Sequence, residues 1–200
     1  VHVVYGHGGE QVRAHFMDTR VRWVHQAAQH GTGHAVRLAL AGVDPAALVL
    51  VLYGDVPLIT TATLRALGSL AGPERIVLLT AELEQPGNYG RILRDVNGAV
   101  SRIVEHQDAT PAQAAVKEIN TGFLAAPAAR LSAWLAKLTR ANAQGEYYLT
   151  DIIAAADGKG LHCRVVEADA AELAGINTRA QLAEAEKTVQ RALRAKAMAQ

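Results

Sequence analysis

The run Leu48-Val49-Leu50-Val51-Leu52 holds five apolar residues with no polar one between them. A strand with one wet face alternates apolar and polar residues, so an unbroken run predicts a strand buried on both faces. Ile76-Val77-Leu78-Leu79 is a shorter run of the same kind. Between such runs lie helix signals. Thr32 is a candidate N-cap before His34-Ala35-Val36-Arg37-Leu38-Ala39-Leu40, and Thr60 or Thr61 before Leu64 and Leu67. Strand, helix, strand, helix predicts an α/β fold, a mainly parallel sheet with helices on both faces.

The middle of the chain breaks this rhythm. Arg91-Ile92-Leu93-Arg94-Asp95-Val96 and Ala99-Val100-Ser101-Arg102-Ile103-Val104 flank Asn97-Gly98, the signature of an antiparallel hairpin with a type I′ turn. The βα pattern then resumes with a strand over residues 119–125, a helix around Leu131, Trp134, Leu135 and Leu138, and the strand Cys163-Arg164-Val165-Val166. From Thr178 the chain reads as one helix with a narrow apolar stripe of Leu182, Ala185, Val189 and Leu193, suited to lying along a surface or leading to another domain. The opening Val1-His2-Val3-Val4-Tyr5 reads as a strand cut off at its start.

Charge and cysteine content exclude several classes. Twenty Lys and Arg stand against nineteen Asp and Glu, a net charge of +1, with no basic stripe for nucleic acid. A single cysteine, Cys163, leaves no disulfide framework and no cysteine-rich zinc site. No apolar run approaches the roughly 18 residues of a membrane span. The expectation is a cytoplasmic globular enzyme or binding module that engages neither nucleic acid nor membrane.

Chemistry in such a sheet collects beyond the carboxyl ends of its strands. Tyr5-Gly6-His7-Gly8-Gly9 superficially suggests a dinucleotide fingerprint, but Gln11 stands where the last glycine belongs, and a glycine-rich turn is the plainer reading. Tyr53-Gly54-Asp55-Val56-Pro57-Leu58 follows the most apolar strand, and Asp55 there is a natural oxygen ligand for Mg²⁺ beside phosphates. The alternative is a turn aspartate capping the next helix. In Gln26-Ala27-Ala28-Gln29-His30-Gly31-Thr32-Gly33-His34 the two glycines expose backbone N–H groups at a helix start, and Gln26 carries the paired donor and acceptor that read a nucleobase edge. His30 and His34 share the i, i+4 spacing of a metal site but lack its accompanying motif. Gly90 and Glu105 fall at one mouth of the hairpin, and Asn120-Thr121-Gly122 and Gly145-Glu146-Tyr147-Tyr148-Leu149-Thr150-Asp151 add polar segments near strand and helix ends.

Taken in order, these segments, with Ile103-Val104-Glu105-His106-Gln107-Asp108-Ala109 and Gly175-Ile176-Asn177, closely resemble the N-terminal domain of the bacterial bifunctional N-acetylglucosamine-1-phosphate uridylyltransferase and glucosamine-1-phosphate N-acetyltransferase family. The resemblance implies a Rossmann-like nucleotide-diphospho-sugar transferase domain over residues 1–177 and a linker helix over 178–200. It implies a uridylyltransferase joining UTP and N-acetylglucosamine 1-phosphate into UDP-N-acetylglucosamine and pyrophosphate, for cell-envelope precursor synthesis. Gln26, Gly31 and Thr32 then meet the uracil, while Tyr53, Gly54 and Asp55 line the nucleotide. Asp55 and Asn177 hold Mg²⁺ as the catalytic pair. Gly90, Glu105 and Asn120 hold the amino sugar, with Tyr148 and Thr150 near its acetamido and phosphate end. The whole protein is expected to be a homotrimer through a C-terminal β-helix.

Two departures qualify the resemblance. The family's first strand and the glycine-rich loop that cradles the triphosphate, ending in Gly-Thr-Arg-Met and followed by a lysine, are missing from this sequence, so the piece alone is expected to be poorly active and its sheet to miss a central strand. No hexapeptide repeats follow Met198. Rival readings are another sugar-1-phosphate nucleotidylyltransferase, a non-catalytic sugar-nucleotide binding module, and a metal-dependent glycosyltransferase. The last usually shows Asp-x-Asp where this chain has Gly54-Asp55-Val56.

Overall fold

A computed structural model describes residues 1–16, 20–156 and 162–199. In chain order the elements are β1 (His2–Tyr5), α1 (Glu10–His15), β2 (Arg22–His25), α2 (Thr32–Leu40), β3 (Leu48–Val51), α3 (Thr61–Leu70), β4 (Arg75–Glu82), β5 (Gly90–Arg94), β6 (Val100–Val104), α4 (Pro111–Ala114), β7 (Glu118–Pro127), α5 (Ala128–Leu135), α6 (Ile152–Ala156), β8 (His162–Glu167) and α7 (Arg179–Met198). Short 3₁₀ turns cover Leu149–Asp151 and Ala170–Leu173.

β4 and β7 make the centre. Ile76, Val77, Leu78 and Leu79 are each no more than 1% exposed, so this run is the strand buried on both faces. Its side chains alternate between two cores. Ile76 and Leu78 join Leu124, Ala126, Leu131, Trp134, Ile152 and Ile153 beneath α5 and α6. Val77, Leu79 and Ala81 join Phe123, Ala125, Leu67 from α3 and Leu173. Helices therefore cover both faces, as the apolar pattern predicts.

Direction in the six-stranded sheet is mixed. β4 and β8 pair in parallel, and β3, β4 and β5 all run antiparallel to β7. β3, β4, β5 and β8 therefore point one way, and β6 and β7 the other. Most strands share a direction, yet most ladders are antiparallel because β7 lies among them. β1 and β2 form a separate parallel pair. α2 packs against β1 on one side and α5 on the other, which ties the pair to the main body.

Three local expectations need correction. The run 48–52 is not buried on both faces. Val49 and Val51 pack on the first core, but Leu48, Leu50 and Leu52 are 45%, 41% and 46% exposed. Among the described strands β3 pairs with β7 alone, and its second face is open to solvent. The hairpin of β5 and β6 is present, but its turn is not type I′, since only Gly98 has positive φ (79°) and Asn97 does not. The Asp95 carboxylate accepts the N–H groups of Asn97 and Ala99, and a register shift follows Leu93, the pattern of a type I turn with a glycine bulge. Finally, Thr60 caps α3 as expected by accepting the Thr63 N–H, whereas the N-cap of α2 is Gly31. Thr32 Oγ1 instead accepts the N–H of Leu149, far along the chain.

Candidate functional site

One edge of β7 has two different neighbours. Near its start Ile119 and Asn120 pair with Arg91 and Gly90 of β5; near its end residues 124–127 pair with β3. In between, at Thr121 and Gly122, the edge forks, and a cavity of about 480 Å³ opens in the fork. That volume suits a small-molecule site, for which about 300–1,000 Å³ is usual.

The β5 side of the fork supplies a polar wall. Gly90 lies opposite Asn120 in the ladder, and Asn120 is a buried polar residue lining the cavity. A Cβ on Gly90 would sit 3.2 Å from Ile103 Cγ2 and 3.3 Å from Glu105 Oε2, so glycine keeps this corner open. Glu105 leaves the end of β6, and its Oε1 accepts the Thr150 hydroxyl at 2.9 Å. Burial raises the Glu105 pKa, the Thr150 bond opposes that, and the Asp151 and Asp108 charges raise it further. The Asp151 carboxyl is raised likewise, by burial and then by Asp108. Tyr148 is 7% exposed, and its hydroxyl has no hydrogen bond of ordinary geometry among the described residues. Burial, then the Asp108 charge, push that hydroxyl up to about 12. The same hydroxyl lies within reach of the Asp108 carboxylate and the Gln144 backbone.

The β3 side supplies the other wall. Tyr53 leaves β3 and packs edge-on against Phe123, ring centroids 6.0 Å apart. Gly122 has φ of 86°, and a Cβ there would overlap the Tyr53 ring. Burial, then Glu105 and Asp55, push the Tyr53 hydroxyl up to about 12, so it stays a donor. Asp55 and Asn177 both line this end. The Ile176 N–H donates to the Asp55 carbonyl at 2.8 Å, which brings the chain before α7 alongside. The Asn177 N–H donates to Gln181 Oε1 at 2.7 Å.

Of the residues singled out from sequence, Thr32, Tyr53, Asp55, Gly90, Glu105, Asn120, Tyr148, Thr150 and Asn177 line this one cavity. Gln26, Gly31 and Gly54 stand off its wall; Gln26 bonds the Gly31 carbonyl beside Thr32, and Gly54 has open space where a side chain would go. The loop holding Gly31 is pinned to the cavity rim, because the Gly33 N–H donates to Tyr147 and the Tyr147 N–H to His30, each at 2.8 Å. Asp55 caps no helix; Thr60 does that. His34 Nδ1 is engaged by Gln26, and no group of three or more metal-ligating side chains occurs among the described residues. Sequence reading missed Gly122 as the support of Tyr53, and Asp108 and Asp151 as the charges around Glu105. The only sequence signal for the first was a glycine interrupting an apolar strand.

One wall thus offers a carboxylate, an amide and hydroxyls to a polyol, and the other offers two hard oxygen donors. The domain family described as MobA-like NTP transferase domain matches residues 1–159. The chain belongs to this family. Among curated relatives it is 54% identical to the bifunctional protein GlmU of Aromatoleum aromaticum over 190 residues, 94% of this chain and 42% of the relative. To the bifunctional protein GlmU of Azotobacter vinelandii it is 51% identical over 201 residues, 100% of this chain and 44% of the relative. The chain therefore spans less than half the length of these relatives. The crystal structure of a UDP-glucose pyrophosphorylase complexed with UDP-glucose superposes with a TM-score of 0.65 at 14% identity, covering 84% of this chain and 73% of that one. That likeness places this MobA-like domain in the nucleotide-sugar transferase fold. No helix among the described residues is long and apolar enough to cross a membrane.

Proposed function

We propose that this domain transfers a uridylyl group from UTP to N-acetylglucosamine 1-phosphate, releasing pyrophosphate and giving UDP-N-acetylglucosamine for cell-envelope synthesis in the cytoplasm. The observation that carries this reading is the fork along β7, which gathers Gly90, Glu105, Asn120, Tyr148 and Thr150 on one wall and Asp55 and Asn177 on the other. Identity of 51–54% to GlmU proteins supports the choice of sugar and base.

Each wall has its own work. Glu105 accepts sugar hydroxyl protons, Asn120 gives and takes a hydrogen bond, and Gly90 leaves room for the pyranose. Tyr148 and Thr150 stand near the acetamido and phosphate end of the sugar. Gln26, Gly31 and Thr32 face the base, and Tyr53 and Gly54 the nucleotide. Attack of a sugar-phosphate oxygen on the α-phosphorus joins two anions, so alignment and charge neutralisation dominate, and no nucleophilic side chain is needed. One carboxylate and one amide oxygen, Asp55 and Asn177, fit Mg²⁺, which keeps waters and phosphate oxygens as its other partners. When bound, that ion neutralises phosphate charge.

Residues 1–177 form the transferase unit in this reading, and 178–200 a linker helix. The whole protein is, in this reading, a homotrimer with an acetyltransferase β-helix. Calorimetric titration of the chain with UDP-N-acetylglucosamine, UDP-glucose and CDP-glucose, each with Mg²⁺, tests the proposal. Preference for the first supports it. Equal preference for UDP-glucose would instead favour another sugar-1-phosphate nucleotidylyltransferase, and no binding would remove it.

A further inference from the structure

Gln26 follows β2, and its side chain is held by two groups of known polarity. Its Nε2 lies 3.1 Å from the Gly31 carbonyl oxygen and 3.0 Å from His34 Nδ1. A carbonyl oxygen can only accept, so the amide must turn its nitrogen, not its oxygen, toward Gly31. The same nitrogen then meets His34 Nδ1, and since an amide nitrogen only donates, Nδ1 must be the unprotonated acceptor. The neutral ring then carries its proton on Nε2. Both amide hydrogens of Gln26 are consumed. What remains is Oε1, a pure acceptor.

We propose that His34 is a specificity-positioning residue: by accepting one amide hydrogen of Gln26 while Gly31 accepts the other, it leaves only the Gln26 carbonyl oxygen for the base. This rests on the reading that Gln26 meets the nucleobase. A lone acceptor matches the imide N–H of uracil. It opposes the bare lone pair that cytosine carries at the same ring position, and a lone pair set against an acceptor leaves both unpaired. Without His34, one amide hydrogen is free, the side chain can rotate, and a donor becomes available to cytosine.

The test titrates UTP and CTP into the 200-residue chain as wild type, His34→Leu and His34→Asn, with melting curves to show that each is folded and ¹⁵N spectra of the imidazole and Gln26 amide. Wild type is expected to prefer UTP, with His34 Nδ1 unprotonated. His34→Leu should lower the UTP-to-CTP preference about fivefold or more, the weight of one hydrogen bond in the site. His34→Asn, which restores an acceptor, should regain most of it and recover the Gln26 amide shift. A UTP preference unchanged in a folded His34→Leu, or a proton found on Nδ1, would overturn the positioning role while leaving Gln26 as base reader. Wild type taking UTP and CTP alike would overturn the base-reading role itself and the specificity claim with it.

Discussion

At the scale of single residues, Asp55 and Glu105 both line one cavity and should fail differently. Asp55 is exposed and no core depends on it, so Asp55→Ala should leave the melting temperature nearly unchanged. In the intact enzyme it should cut kcat about a hundredfold or more, the scale of a lost metal ligand at a phosphate. Near-normal turnover in Mg²⁺ would remove the metal assignment. Glu105→Ala should weaken sugar-phosphate use by ~2 kcal/mol while leaving UTP binding almost untouched, because charge-assisted bonds to hydroxyls are lost. Separate titrations with each ligand distinguish this from a folding defect, which would weaken both. Glu105 also opposes folding at neutral pH. Burial raises its pKa in the folded state, so the fold binds its proton more tightly than the unfolded chain does. Its stabilising contribution is present below the ordinary carboxylate pKa and is lost as pH rises through the raised value. Glu105→Gln should therefore melt higher than wild type at neutral pH, and the difference should shrink as pH falls through the carboxylate range.

At the scale of elements, β7 does the positioning. Its ladder to β5 ends at Asn120, its ladder to β3 begins at Leu124, and the residues between carry the irregularity that opens the cavity. Gly122 is the critical one, with φ of 86° and the Tyr53 ring occupying the space of a side chain. Gly122→Ala combines a left-handed backbone penalty with a displaced aromatic ring. It should destabilise by roughly 2–3 kcal/mol and disorder the nucleotide side of the cavity before the sugar side. Thermal melts together with paired nucleotide and sugar titrations would check it; an unchanged melting temperature would mean that β7 relaxes freely there. The hairpin teaches a related point. Asn97-Gly98 signals a turn correctly, but the Asp95 side chain captures two backbone N–H groups and selects a bulged turn in place of type I′.

At the scale of the whole molecule, α7 is nearly independent of the rest. Ala185 is its one buried residue among those described, while Leu182, Val189 and Leu193 are 47%, 44% and 61% exposed. A capping box at Thr178 and Gln181 starts the helix, and Gln181 also accepts the Asn177 N–H. Deleting residues 190–200 should therefore shift the melting temperature by no more than about 2 °C. Replacing Gln181 should matter more, through the position of Asn177 than through stability. Gln181→Ala is expected to weaken Mg²⁺-dependent nucleotide binding with little change in melting, as calorimetry with and without the metal would show.

Local patterns alone determined the α/β class, the strand at 76–79, the hairpin, the Thr60 cap and the long terminal helix, because each depends on side chains within a turn or two of one another. The segments that line the cavity were legible too, as polar breaks at the ends of apolar runs. Which of them meet was decided only by tertiary structure. Asn120 reaches Gly90 across a ladder, Thr150 reaches Glu105 across 45 positions, and Thr32 binds Leu149 instead of capping its own helix. The apolar run at 48–52 predicts burial on both faces, but burial is a property of neighbours, and β3 has one flanking strand among those described and one open face. The orientation of Gln26 likewise appears in no motif, since it depends on a histidine ring one helical turn away from the glycine it shares. Hydrophobic patterning acts through the chain's own periodicity; partner choice depends on which long-range pairings the sheet permits.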